Sequence, residues 1–159
     1  MTLRHATLAL LLAGAAATAQ AGVKASAVRP GNFVALSPNE VLVPLNAAGA
    51  TTLSFSLPSA GKKILTYSAE CAVDALTGET GAWLQLDIYV NGVVVAPTSD
   101  TTDPFCSANG TAGFDGYVRA SITVPVQGKS GGNTVQIKAI GGSNARGLWL
   151  GDAALVVYD

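Results

Sequence analysis

The sequence predicts an all-β fold: a two-sheet antiparallel sandwich of about eight to ten short strands. Three observations predict it. From residue 22 onward apolar residues alternate with polar ones at a period of two; glycine, proline and asparagine interrupt that rhythm about every ten residues; and no segment carries a helical period or an internal repeat.

Residues 1–21 are expected to be a signal peptide. Arg4 precedes the apolar run Ala6 to Ala17, and Ala19-Gln20-Ala21 has the small residues of a cleavage site after Ala21. The run is too short to span a bilayer, and no longer apolar stretch follows. Residues 22–40, with Val28-Arg29-Pro30-Gly31-Asn32 and Ser37-Pro38-Asn39, are the least patterned and read as an extended arm or a first edge strand, where proline is tolerated. The sandwich domain is expected over 41–159.

Within it, Leu53, Phe55 and Leu57 share one face of a strand that ends at Pro58-Ser59-Ala60-Gly61. Leu65, Tyr67, Ala69, Cys71 and Val73 share a face of the next. Trp83 to Ala96 reads as a hairpin: Leu84, Leu86, Ile88 and Val90 face one way, Trp83, Gln85, Asp87 and Tyr89 the other. Asn91-Gly92 suits a type I′ turn, whose two central positions need positive φ. Residues 97–116 form the longest break, anchored by Cys106. A second hairpin is expected from Val118 to Val126 and back through Val135 to Ala139. After the loop Gly141 to Gly147, two strands are expected near Leu148 to Leu150 and Ala154 to Tyr158.

Export and composition narrow the function. The sole histidine, His5, and the sole methionine, Met1, fall within the expected signal peptide. A processed chain would lack both, which excludes a Ser-His-Asp or Cys-His machine, histidine-ligated metals and a histidine pH switch. Charge is sparse and balanced, with a formal net charge of -1, so neither nucleic acid nor an anionic membrane surface is an expected partner. Cys71 and Cys106, an even pair in an exported chain, point to one disulfide. The expected location is the periplasm or the extracellular medium.

The runs Ala69-Glu70-Cys71-Ala72-Val73, Leu86 to Gly92 and Phe105-Cys106-Ser107-Ala108-Asn109-Gly110-Thr111, with Val135 to Ala139 and Leu155-Val156-Val157, resemble uncharacterised exported bacterial proteins built as small β-sandwiches. The resemblance covers most of residues 50 to 158. It implies a jelly-roll sandwich and a Cys71–Cys106 disulfide, and no particular activity. The layout also resembles the tumour-necrosis-factor and C1q type of jelly roll, which often trimerises, and many carbohydrate-binding modules. Fold by itself carries no function.

The side chains available favour binding over catalysis. Carboxylate pairs can hydrolyse glycosides without histidine, but a sandwich of this size has little room for the deep cleft they need; a hydrolase is the third-ranked reading. A Trp beside amide and guanidinium donors suits stacking plus hydrogen bonding, which nominates Trp149 with Asn144 and Arg146; Trp83 and Tyr89 share the outward face of one strand. The plainer alternative is that both tryptophans cap the core at the sandwich ends. Glu70 and Asp87, if their strands are neighbours, would form cross-strand ion pairs with Arg119 or Lys138. No cofactor is expected. Calcium alone among metals suits the oxygen ligands of the long loop, with Asp100, Asp103 and Asp115 as weak candidates. Two functions remain from different classes: an exported, non-catalytic module that binds a glycan or a protein surface, and a structural subunit of a homo-oligomer whose aromatic outer face, Trp83 to Tyr89, packs between copies.

Overall fold

A computed structural model describes residues 22–96, 104–114, 116–142 and 144–159. The expected signal peptide and the calcium candidates Asp100, Asp103 and Asp115 lie outside the described residues. Eleven strands form among those described: β1 (Val23–Arg29), β2 (Phe33–Ala35), β3 (Val41–Leu42), β4 (Leu53–Leu57), β5 (Gly61–Asp74), β6 (Trp83–Val90), β7 (Val93–Ala96), β8 (Cys106–Ser107), β9 (Val118–Gly128), β10 (Gly131–Gly141) and β11 (Gly147–Tyr158).

They build two antiparallel sheets. The first runs β1-β11-β5-β9, with β2 also on β11; the second runs β3-β10-β6-β7, with β4 also on β10 and β8 also on β6. Short strands share ladder positions end to end: β1 and β2 along β11, β3 and β4 along β10, β7 and β8 along β6. Merging them leaves eight positions. In chain order the first sheet then reads 1-8-3-6 and the second 2-7-4-5, the double Greek-key wiring of a jelly roll.

The alternating faces explain the core. Leu65, Tyr67, Ala69, Cys71 and Val73 of β5 meet Leu84, Leu86 and Ile88 of β6, with Val135, Ile137 and Ala139 of β10 and Leu148, Leu150, Leu155 and Val157 of β11 beside them, all buried. Sheets of this kind stack about 10 Å apart, so interdigitated apolar side chains fill the gap. The Cys71–Cys106 disulfide joins β5 of the first sheet to β8 of the second, with Cα atoms 6.4 Å apart. The Asn91-Gly92 turn has φ of 53° and 80°, as a type I′ turn requires.

Three expectations are corrected. The segment from Val118 to Ala139 is not a hairpin: β9 pairs with β5 in the first sheet, while β10 pairs with β6, β4 and β3 in the second. Alternation reports only that a strand buries one face, which is equally true of a hairpin and of a corner between sheets. Asn133, buried at this corner, closes it. Its Oδ1 accepts from the Lys129 N–H and from Asn91 Nδ2, and its Nδ2 donates to the Lys129 and Gly131 carbonyls, all at 2.9–3.0 Å. The two strands expected after residue 147 are one strand, β11, whose register on β5 shifts between Gly151 and Ala154. A bulge there, with Asp152 at φ 35°, moves the inward set from Leu148 and Leu150 to Ala153, Leu155 and Val157. Finally, Glu70 and Asp87 are not on neighbouring strands, since β5 and β6 belong to different sheets.

Candidate functional site

The outer face of the first sheet gathers the side chains with the most recognition chemistry. On β11, Trp149 points away from the core because Leu148 and Leu150 point into it. Trp149 is in register with Ala72 of β5, and Tyr117, one residue before β9, continues the same row, since Val118 pairs with Cys71. Ala72 has only a methyl group, so the two aromatic rings on either side meet above it. Their centroids lie 4.6 Å apart at 64°, an edge-on contact. Trp149 is 9% exposed and runs along Gly151, where a Cβ would collide with its indole, whereas Tyr117 is 57% exposed. Trp149 is therefore the buttress and Tyr117 the open ring.

The next row supplies charge. Glu70 is in register with Arg119, and Arg119 Nη2 donates to Glu70 Oε1 at 2.7 Å. Of the two cations expected for Glu70, Arg119 is thus its partner, although the strand of Asp87 is not beside that of Glu70. Both side chains of that pair are well exposed, so it stabilises the fold by at most about 1 kcal/mol and can exchange its partner for a ligand at low cost. Glu70, Tyr117, Val118, Arg119 and Trp149 line an open hollow of about 500 Å³.

The other nominated residues are elsewhere. Arg146 donates to Asp74 Oδ1 at 2.6 Å and to the Ala75 carbonyl, and Asn144 donates to Glu79 Oε2 at 3.1 Å. Both thus join loops at one end of the sandwich. Trp83 and Tyr89 lie on the outer face of the second sheet. Trp83 packs over Gly142, whose lack of a Cβ leaves room for the indole. Tyr89 carries Lys138 Nζ 4.6 Å above its ring. Asp87 is in register with Lys138, but the ammonium bonds to Glu40 Oε1 at 2.6 Å, and Asp87 accepts from Gln85 Nε2 instead. The hydrogen bond to Glu40, foremost, raises the Lys138 pKa. Tyr117 was not singled out from the sequence; its only signal is an aromatic residue between Gly116 and the first residue of an alternating strand.

No protein-family model matches the chain. No curated protein matches it in sequence either. Among solved structures it is similar to a family 35 carbohydrate-binding module from Clostridium thermocellum, at 16% identity over 82% of this chain and 96% of that one, with a TM-score of 0.34. It is also similar to the family 35 module of Abf62 from Cellvibrio japonicus (19% identity, 88% and 91% covered, TM-score 0.32). A third is dimeric latent PorU from Porphyromonas gingivalis, at 12% identity over 89% of this chain and 14% of that one, with a TM-score of 0.37.

Proposed function

We propose that the protein is an exported, non-catalytic carbohydrate-binding domain whose site is the hollow on the outer face of the first sheet. The observation that carries this reading is the pairing of an open Tyr117 ring, held edge-on by Trp149, with the exposed Glu70–Arg119 pair beside it. A pyranose has an apolar C–H face and a rim of hydroxyls. The ring accepts the first, while a carboxylate and a guanidinium accept from and donate to the second. A shallow, open hollow suits a ligand that is bound and released unchanged. The signal-like segment at residues 1–21 and the disulfide support export to the periplasm or beyond.

A glycan array followed by calorimetry on the strongest binder tests the reading. Tyr117→Ala removes the exposed ring without touching the core, and is expected to weaken binding about tenfold, near 1.4 kcal/mol. Absence of any glycan binding by the folded protein, or binding that Tyr117→Ala leaves unchanged, overturns it.

A further inference from the structure

Two apolar rows cross the outer face of the first sheet. The first holds Tyr117, Ala72 and Trp149. The second holds Pro125, Ile64 and Tyr158, because Ile64 is in register with Pro125 on one side and with Tyr158 on the other. Leu65, Val126 and Val157, their neighbours along each strand, are buried, so the members of this second row point outward. A separate hollow of about 290 Å³ opens beside it, lined by Lys62, Pro125, Val126 and Gln127. Lys62 and Gln127 are in register with each other and both exposed.

Three polar rows lie between the apolar ones: Arg119 with Glu70, Ser121 with Ser68, and Thr123 with Thr66. Ser121 and Thr123 are exposed. The Thr66 and Thr123 hydroxyls share a hydrogen bond at 3.0 Å, and Thr66 Oγ1 lies 3.4 Å from the Tyr158 hydroxyl. Each hydroxyl has one donor and two acceptor positions, so these contacts leave capacity for a ligand. Tyr117 and Pro125 are eight residues apart on one strand, which sets the two apolar rows about 26 Å apart, the length of about five pyranoses in an extended chain.

We propose, building on the carbohydrate-binding reading above, that the ligand is a straight β-1,4-linked glycan laid along β5 and β9, from the Tyr117 hollow to the Pro125 hollow. The apolar rows then meet C–H faces of the sugars at either end, and the carboxylate, guanidinium and hydroxyls between them meet the sugar hydroxyls. A lane that follows two paired strands is straight. A β-1,4 backbone joined through equatorial positions runs straight as well, whereas an α-1,4 backbone curls away from such a lane.

Calorimetry with gluco-, xylo- and manno-oligosaccharides, β-1,4-linked and of two to about six units, tests the proposal, with α-1,4-linked malto-oligosaccharides as the curled control. In at least one β-1,4 series the affinity should rise about tenfold from two to five units and then level off, and the malto series should show no such gain. Lys62→Ala combined with Gln127→Ala changes only exposed side chains at the far hollow. It should lower the affinity for five units about tenfold and leave that for two units unchanged, whereas Tyr117→Ala weakens short and long chains alike. Tyr117-dependent binding that does not grow with chain length, a gain with length that the double variant leaves intact, or a gain in the malto series overturns this inference and leaves the carbohydrate-binding reading standing. Absence of binding to any glycan overturns both.

Discussion

Replacing Asn133 with alanine should destabilise the protein more than any exposed substitution, because one amide holds the corner at which the chain passes from one sheet to the other. Its oxygen accepts two hydrogen bonds and its nitrogen donates two. Lys129 and Gly131 are exposed, so their groups regain water when the amide is lost, whereas Asn91 is half-buried and regains less. Taking about 0.5–1 kcal/mol for each of the three re-hydrated bonds and about 1 for the fourth gives a loss of about 2.5–4 kcal/mol. For a domain of this size, about 3 °C per kcal/mol turns that into a midpoint about 8–12 °C lower. Urea unfolding followed by circular dichroism should show a lower midpoint with an unchanged slope. Asn133→Asp is the sharper test. It retains the acceptor but sets a second oxygen against the Lys129 and Gly131 carbonyls, so it should cost at least as much as alanine. A loss under about 0.5 kcal/mol for alanine, or aspartate milder than alanine, would refute the assignment of the corner to this amide.

Two further outcomes follow from the core. Removing the disulfide by Cys71→Ala with Cys106→Ala frees a loop with ends 35 positions apart, and on chain entropy should cost about 4 kcal/mol, read as the shift in urea midpoint against the oxidised parent. Tyr67 gives a pH signature: its folded pKa, about 12, lies above the unfolded value of 10.0, so the neutral phenol's contribution is complete below pH 10 and is lost as pH rises toward 12. The difference between the folded and unfolded values corresponds to about 3 kcal/mol. Tyr67→Phe should flatten that alkaline decline in stability, and an identical decline in both proteins would contradict it.

The parts of the fold legible in the sequence are those in which period and turn chemistry decide. Inward and outward residues of β5 and β6 follow from alternation, and the Asn91-Gly92 turn from its demand for positive φ. Partner choice is a different matter. Nothing in the alternation of Val118 to Val126 and Val135 to Ala139 says that the two strands enter different sheets, because that depends on which edge of the sandwich is open. The bulge in β11 did leave a mark, the change of parity between Leu150 and Ala153, which also reads as a break between two strands. The hollow was partly legible. Trp149 was singled out for its neighbours in sequence, Asn144 and Arg146, but in a sheet the lateral neighbours come from other strands, and register sets Trp149 beside Ala72 and Tyr117. The Glu70–Arg119 pair was legible only in part: the outward positions of both residues follow from alternation, but the choice of Arg119 over Lys138 follows from β9 lying beside β5, and the supposed adjacency of the Glu70 and Asp87 strands does not hold.

The placement of β11 bears on the order in which the molecule assembles. It lies between β1 and β5, with Val23 opposite Tyr158 and Ile64 opposite the same tyrosine from the other side. Until residues 147–158 emerge, β1 has no neighbour and β5 is paired only on its β9 flank. The hairpin of β6 and β7 can form locally, but the first sheet cannot close before its latest strand arrives from the far end of the sequence. Such long-range closure makes for slow folding. Completion of the first sheet thus rests on residues 147–158, and a chain cut before Gly147 would leave β1 without a strand partner and β5 open along one flank.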